Sequence, residues 1–301
     1  MTMPVVAIFG PTASGKSAVA VALAHLVDGE IVSADSMQVY RGLERITNQP
    51  TAAEREGVPH HLVGCVDPDE PYDVVRYAAD AHAAIDGILE RGRTPIVAGG
   101  SGLYLRAALA ELEFPPHVDE AERVRIQEQV EALGPEAAHA HLAEVDPAAA
   151  ARIEPGDTRR VVRALELAAV GATLAVDGSL WDDAARHPTR LFGLQVPRAV
   201  LHARIDARTP LLVAAGAEQI AATDPSHTAA RAHGVDDVRA MLAGTIDRAE
   251  CERRLATRTR QYAKRQDTWL RKIPNAEPVD ADRPAAAVAA DIAERLRTPP
   301  R

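Results

Sequence analysis

Gly10-Pro11-Thr12-Ala13-Ser14-Gly15-Lys16-Ser17 follows the apolar run Val5 to Phe9 and leads into an Ala-, Leu- and Val-rich stretch from Ser17 to Val27. A G-x-x-x-x-G-K-[ST] segment between a strand and a helix is a phosphate-binding loop. Its glycines let backbone N–H groups converge on a phosphate chain, and the helix N-terminus adds its dipole. Lys16 then bridges phosphate oxygens, and Ser17 offers its hydroxyl to Mg²⁺. The motif calls for a diphosphate or triphosphate ligand and leaves the reaction open.

Working outward, Glu30 to Ser33 and Pro95 to Ala98 repeat the short Val/Ile-rich strand pattern, with helical stretches at Ser17 to Val27 and Val74 to Glu90 between the strands. Repeated βα units predict an α/β fold, a P-loop NTPase-like core whose parallel sheet is flanked by helices and whose functional loops lie at the carboxyl ends of the strands. The Glu30 strand is expected beside the P-loop strand. Pro115-Pro116 breaks the rhythm, and from Asp119 to about Gly171 the pattern is helical throughout. Asp119 and Asp157 mark helix starts, the latter for Thr158 to Ala169, and Gly134-Pro135 marks a break. Strand pattern returns at Leu191 to Val196, followed by a helix from Arg198 and a long one from Glu250 to Arg271. After Asn275 a Pro-bearing loop is expected, then a terminal helix from Ala285 to Arg297. The expected division is a core of residues 1–114 and 189–301 interrupted by an all-helical lobe at 115–188.

Composition narrows the function. Of 301 residues, 47% are hydrophobic and only 3% aromatic, so the core is aliphatic and an aromatic base-stacking platform is disfavoured. A net charge of −9 excludes nonspecific nucleic-acid binding over the whole surface. Locally the balance reverses, because Arg248 to Lys272 holds nine Lys/Arg against three Asp/Glu. That segment is an RNA-facing candidate. The two cysteines, Cys65 and Cys251, suit packing or surface thiols in a reducing cytosol. The start Met1-Thr2-Met3-Pro4 carries no basic region, so no signal peptide is read, and no apolar run is long enough for a membrane span.

Two further strand ends carry chemistry. Asp35, in Ser33-Ala34-Asp35-Ser36, could bind Mg²⁺ through water, accept a proton from a nucleophile, or serve as a turn residue. Gly99-Gly100-Ser101-Gly102-Leu103-Tyr104 could let a substrate approach the backbone, with Ser101 adding a hydroxyl and Tyr104 belonging to the core.

Taken together, these segments resemble the tRNA dimethylallyltransferase (tRNA isopentenyltransferase) family. The resemblance rests on Gly10 to Ser17, Ser33 to Gly42, His60-His61-Leu62, Gly99 to Tyr104, Arg160 to Glu166, and Tyr262-Ala263-Lys264-Arg265-Gln266-Asp267-Thr268-Trp269, which follow the family's order and approximate spacing. It covers nearly the whole chain. It implies transfer of the dimethylallyl group of dimethylallyl diphosphate to N6 of adenine 37 in tRNA. By the resemblance, the P-loop residues Gly10, Pro11, Thr12, Ala13, Ser14, Gly15, Lys16 and Ser17 hold a diphosphate leaving group, with Mg²⁺ at Ser17. Asp35 corresponds to the general base, Arg208 to the diphosphate arginine, and Thr12 to a position lining the donor. Matching tRNA contacts are Asp35, Ser36, Met37, Gln38, Ser101, Arg123, Arg159, Arg160, Arg163, Arg231, Lys264 and Arg265. A cytoplasmic monomer with no membrane partner is expected. Tyr262 and Trp269 are expected to anchor their helix, and His60-His61 to form a hydrogen-bonded structural pair.

The chain departs from the bacterial family pattern at Ile46-Thr47-Asn48-Gln49-Pro50 and at Val235-Asp236 after Gly234. Three other functions fit parts of the pattern: an adenylate isopentenyltransferase acting on AMP, ADP or ATP, a P-loop small-metabolite kinase, and a non-catalytic tRNA-binding protein. A mononucleotide acceptor would need neither the helical lobe nor the basic helix. A kinase would leave Lys264-Arg265-Gln266 unexplained.

Overall fold

The computed structural model describes residues 4–174, 181, 185–223, 225, 226 and 228–298. Met1, Thr2 and Met3, part of the amino-terminal reading above, lie outside them. The chain forms two compact units, Met1–Glu111 with Asp183–Arg301, and Leu112–Asp182.

The larger unit opens with β1 (Val5–Phe9), α1 (Lys16–Val27), β2 (Gly29–Ala34), a short α2 (Ala52–Arg55), β3 (His60–His61), α3 (Val74–Glu90), β4 (Thr94–Gly99) and α4 (Gly102–Leu109). The smaller unit holds α5 (Glu120–Leu133), α6 (Pro135–Val145), α7 (Pro147–Ala150) and α8 (Thr158–Ala169). The chain then returns to the larger unit with β5 (Thr189–Gln195), α9 (Arg198–Ala221), α10 (Val235–Leu242), α11 (Arg248–Leu270), β6 (Glu277–Asp280) and α12 (Ala285–Arg297).

All six strands pair in parallel, in the order β3-β2-β4-β1-β5-β6. The β2 strand, expected beside β1, is therefore separated from it by β4. The crossover through α1 skips one strand width, and β4 fills the gap with Ile96 and Val97 fully buried, as suits a strand paired on both edges. A second correction concerns the loop expected after Asn275, where Glu277 to Asp280 instead pairs with β5 as the last strand. Pro278 hides this strand from sequence, yet proline is tolerated at a sheet edge.

One face of the sheet packs Val6, Ile8, Ile31, Ile96, Phe192 and Leu194 against Val19 and Leu23 of α1 and Val288 and Ile292 of α12. Each such side chain contributes about 1.5–3 kcal/mol when fully buried. Trimming Ile96 to alanine would cost about 2–5 kcal/mol. On α3 and α4, Tyr77 and Tyr104 meet with ring centroids 4.6 Å apart, which puts Tyr104 in the core. The Tyr77 hydroxyl donates to the Ser33 carbonyl at 3.0 Å and steadies the end of β2.

At the opposite end of β2, buried Glu30 accepts from Arg91 (2.7 Å) and Arg93 (3.0 Å) and lies 2.7 Å from His61 Nε2. His60 Nδ1 lies 2.8 Å from the Val58 carbonyl. The two histidines thus serve strand pairing and an ion cluster. Cys65 is exposed and Cys251 buried, both as free thiols.

The smaller unit has its own core of Ile126, Val130, Leu142, Ile153, Val161 and Leu165. Proline opens both α6 and α7, where its missing N–H costs no helical hydrogen bond. The Asp157 side chain caps α8 by accepting from the Arg160 N–H at 3.3 Å, whereas Asp119 precedes α5 without a side-chain cap. No helix among the described residues is long and apolar enough to cross a membrane.

Candidate active site

Between β1 and α1 the chain must reverse tightly while its amides face outward. Ala13 (φ 66°) and Gly15 (φ 87°) both adopt left-handed backbone, and Gly15 is the residue on which α1 begins. Such turns form a concave nest of N–H groups. The first-turn amides of α1 have no preceding helical carbonyl to bond, so they are available to an anion. The Ser17 side chain is on the exposed side of that turn.

Lys16 extends over the loop and donates to the Pro11 carbonyl at 3.1 Å. Burial lowers its pKa to about 8; the Asp35 carboxylate partly offsets this, and Arg208 adds to it. Arg208, on α9, donates from Nη2 to Thr12 Oγ1 at 3.0 Å. Its Nε is buried without a partner, as is Ser14 Oγ. Three cationic or donor groups therefore converge on the loop with unspent hydrogen-bonding capacity, which is what a polyphosphate requires.

Asp35 leaves the carboxyl end of β2, two strand spacings or about 10 Å from β1 in the sheet. Its Oδ1 accepts from the Met37 N–H at 2.9 Å, forming an Asx turn that holds the carboxylate half-buried. The charge of Asp35 is felt at Lys16, Tyr77, Tyr104, His233 and Tyr262, so it is central to this end of the sheet. Ser36 is half-buried beside it. Gln38 accepts from Ser33 Oγ at 3.3 Å and donates to the Asn48 carbonyl at 3.0 Å. Asn48 adopts left-handed backbone (φ 53°), so the divergent Ile46–Pro50 segment supplies a shaped acceptor for Gln38.

The Gly99-Gly100 turn differs from the expected open approach for substrate. A Cβ on Gly100 would lie 2.1 Å from Gln266 Nε2, and one on Gly102 would lie 2.2 Å from the Trp269 ring. The glycines make room for α11, and Trp269 anchors that helix while staying partly exposed. Ser101 caps α4 by accepting from the Tyr104 N–H at 3.5 Å.

Sequence reasoning missed Gln266 as a site residue. The signal was available: a polar side chain occupies the apolar phase of α11, between buried Ala263 and Leu270. It also missed His233, whose ring lies 4.8 Å from that of Tyr262. Burial, with Arg265 adding to it and Asp35 opposing, lowers the pKa of His233. Lys264 and Arg265 are exposed on α11 and make no ion pair among the described residues, though Arg265 lies over the Tyr262 ring at 5.7 Å. Arg231 is exposed in a short 3₁₀ turn.

The four remaining arginines belong to the smaller unit. Arg123 and Arg163 both pair with buried Glu166, at 3.6 and 2.9 Å, and Arg160 pairs with Asp157 at 3.5 Å. Arg159 is exposed and makes no ion pair among the described residues.

The chain is similar to known proteins along nearly its whole length. The IPP transferase family profile matches residues 38–273, and the isopentenyl transferase profile matches residues 3–63. A tRNA dimethylallyltransferase of Kineococcus radiotolerans is 45% identical over 98% of this chain and 95% of its own. One from Anaeromyxobacter sp. is 49% identical over 90% of each chain. Among solved structures, the tRNA isopentenylpyrophosphate transferase of Bacillus halodurans superposes with a TM-score of 0.70 at 34% identity, covering 98% of this chain and 97% of that one. A eukaryotic dimethylallyltransferase acting on tRNA gives 0.74 at 26% identity, covering 99% of this chain and 81% of that one.

Proposed function

The chain belongs to the IPP transferase family, the tRNA dimethylallyltransferases, and on that premise we propose how its own residues carry out the reaction. It transfers the dimethylallyl group of dimethylallyl diphosphate to N6 of adenine 37, next to the anticodon, giving N6-isopentenyladenosine. The observation that carries the reading is the convergence of Lys16, Thr12 and Arg208 on one loop, with the Asp35 carboxylate within electrostatic reach.

The allylic carbon–oxygen bond breaks as the bond from N6 forms, so negative charge develops on the departing diphosphate. The loop amides of Ala13, Gly15, Lys16 and Ser17, with the Lys16 and Arg208 side chains, stabilise that charge from fixed positions. The unpartnered Nε of Arg208 and Oγ of Ser14 are the donors still to be satisfied. Thr12 receives Arg208 on its hydroxyl and so aims the guanidinium. The adenine amine is a weak nucleophile because its lone pair is shared with the ring. Asp35, hydrogen-bonded to N6–H, raises its electron density and takes the proton as the new bond forms. The Met37 N–H occupies Oδ1, leaving Oδ2 for this work.

The donor set suits Mg²⁺. Among the described residues no three His, Cys, Asp or Glu side chains gather into a metal cage. The exposed Ser17 hydroxyl together with substrate phosphate oxygens is the kind of hard, sparse set that Mg²⁺ accepts. Bound there, the ion would supply further neutralisation of the leaving diphosphate.

For the tRNA, we assign the segment Asp35, Ser36, Met37 and Gln38, with Ser101, Arg231, Lys264 and Arg265, from the larger unit. We assign Arg123, Arg159, Arg160 and Arg163 from the smaller, helical unit. The target base must leave its stack to reach Asp35, at a cost of a few kcal/mol. In this reading the protein acts as a monomer in the cytoplasm. The exposed basic face of α11 favours tRNA over a free adenylate as acceptor.

The decisive experiment supplies radiolabelled dimethylallyl diphosphate with either tRNA or AMP. Label in tRNA, absent when adenine 37 is replaced, is expected. Label in AMP would make the protein an adenylate isopentenyltransferase, and label in neither would end the prenyl-transfer reading.

A further inference from the structure

Gln266 is a buried amide on α11 with both ends engaged by backbone. Its Oε1 accepts from the Thr12 N–H at 2.7 Å, and its Nε2 donates to the Gly100 carbonyl at 2.9 Å. Only one orientation of the amide satisfies both, since Thr12 offers a donor and Gly100 an acceptor. Beside this bridge, a 3.4 Å contact between the Gly10 N–H and the Gly99 carbonyl ties the P-loop to the end of β4.

We propose that Gln266 is a positioning residue for the donor site, fixing Thr12 from the backbone side so that its hydroxyl and Arg208 meet the diphosphate in one geometry. The inference rests on the reading above that this loop holds a diphosphate. Thr12 is held at two points, by Gln266 through its N–H and by Arg208 through its hydroxyl. One consequence is that the Thr12 N–H is withdrawn from the anion-binding set, which leaves phosphate recognition to the amides that follow. Another is that a side chain far along the sequence, next to the exposed Lys264 and Arg265, sets the shape of the loop. Loss of the bridge frees Thr12, and a misplacement of even ~1 Å in such a site is costly.

The test uses the full chain, with inorganic diphosphate and Mg²⁺ as the binding probe in calorimetry and dimethylallyl diphosphate with tRNA in kinetics. In Gln266→Met, which keeps bulk but breaks both hydrogen bonds, the diphosphate Kd and the donor KM are expected to rise about tenfold, the worth of one such bond. The tRNA KM should stay within about twofold. Gly100→Ala pushes the amide aside without removing it and should give the same rise. A merely structural role would instead lower the active fraction and kcat while leaving Kd and KM per folded molecule unchanged. Diphosphate Kd and donor KM within about twofold of wild type in folded Gln266→Met overturn the proposal. If that variant does not fold, Gly100→Ala decides by the same criterion. Wild-type protein that binds diphosphate through Gln266 but transfers no prenyl group would sink the functional reading and leave the positioning role intact.

Discussion

Arg208 reaches Thr12 across the gap between α9 and the P-loop, its Nη2 3.0 Å from the threonine hydroxyl, while its buried Nε has no partner. Burial lowers the pKa of this guanidinium, because a charge held away from water is disfavoured until an anion faces it. Arg208→Ala should slow prenyl transfer by about 10²–10³-fold, the usual effect of removing one fixed electrostatic stabiliser. Arg208→Lys should recover only part, because an ammonium lacks the rigid fork that lets Nη2 hold Thr12 while Nε faces an anion. Steady-state kinetics on folded protein check this; wild-type rates in Arg208→Ala would return the residue to a packing role.

Asp35 separates three readings in one substitution. Asp35→Asn keeps an acceptor for the Met37 N–H, so the turn survives while the proton acceptor is lost. Turnover should fall about 10²–10⁴-fold with little change in donor KM. A donor KM that rises alongside, with partial recovery in added Mg²⁺, would mark Asp35 as a metal group instead. Full activity would make it a turn residue.

Lys16 predicts a proton linkage. With its pKa lowered to about 8, the free enzyme is partly deprotonated above that pH. A bound diphosphate favours the charged ammonium and raises the pKa again, so binding must take up a proton between about pH 8 and 10. Calorimetric binding in buffers of differing ionisation enthalpy measures this directly. Uptake should vanish in Lys16→Arg, whose guanidinium stays charged; uptake that persists there would place the proton elsewhere.

Glu30 governs acid stability. Burial alone would raise its pKa, but hydrogen bonds from Arg91, His61 and Arg93 outweigh that and hold it at about 2. Its unfolded value is about 4.5, so between these pH values the unfolded chain binds the extra proton and stability rises with pH. The contribution, of order 3 kcal/mol, is complete above about pH 5 and is lost as pH falls toward 2. Melting temperature against pH should show this slope in wild type and a flatter one in Glu30→Gln.

Lys264 and Arg265 make no ion pair among the described residues, so neutralising both isolates their contact with RNA. The log–log salt dependence of tRNA binding should flatten by about 0.7 per lost phosphate contact, with donor affinity unchanged. An unchanged slope would leave them as a solvated face. Arg163 is a poorer choice for this test, because its loss would leave buried Glu166 leaning on the 3.6 Å contact to Arg123.

The P-loop, the major helices and the central strands were legible because each is a local pattern: a fixed spacing around Gly15 and Lys16, a 3.6-residue period in Val74–Glu90, a cap at Asp157. Strand order was not, since the position of β4 between β1 and β2 depends on crossover geometry rather than on any residue within them. Glu277–Asp280 was hidden by its proline. Gln266 was hidden by distance, because its partners lie 254 and 166 residues away and no local rule links them.

The return of the chain to the sheet after the helical unit has a consequence for biosynthesis. When β1, α1, β2 and β4 have left the ribosome, β1 still lacks its β5 neighbour, α1 lacks α12, and the Thr12 N–H lacks Gln266. A nascent chain therefore carries the complete phosphate-binding motif long before Gln266 and Arg208 are there to shape it. Closing such long-range contacts is slow, and unpaired strand edges are prone to aggregation while they wait. Donor-binding competence arrives only with the last third of the polypeptide, so a truncated product of stalled translation should have no affinity for the prenyl donor and should be left to proteolysis.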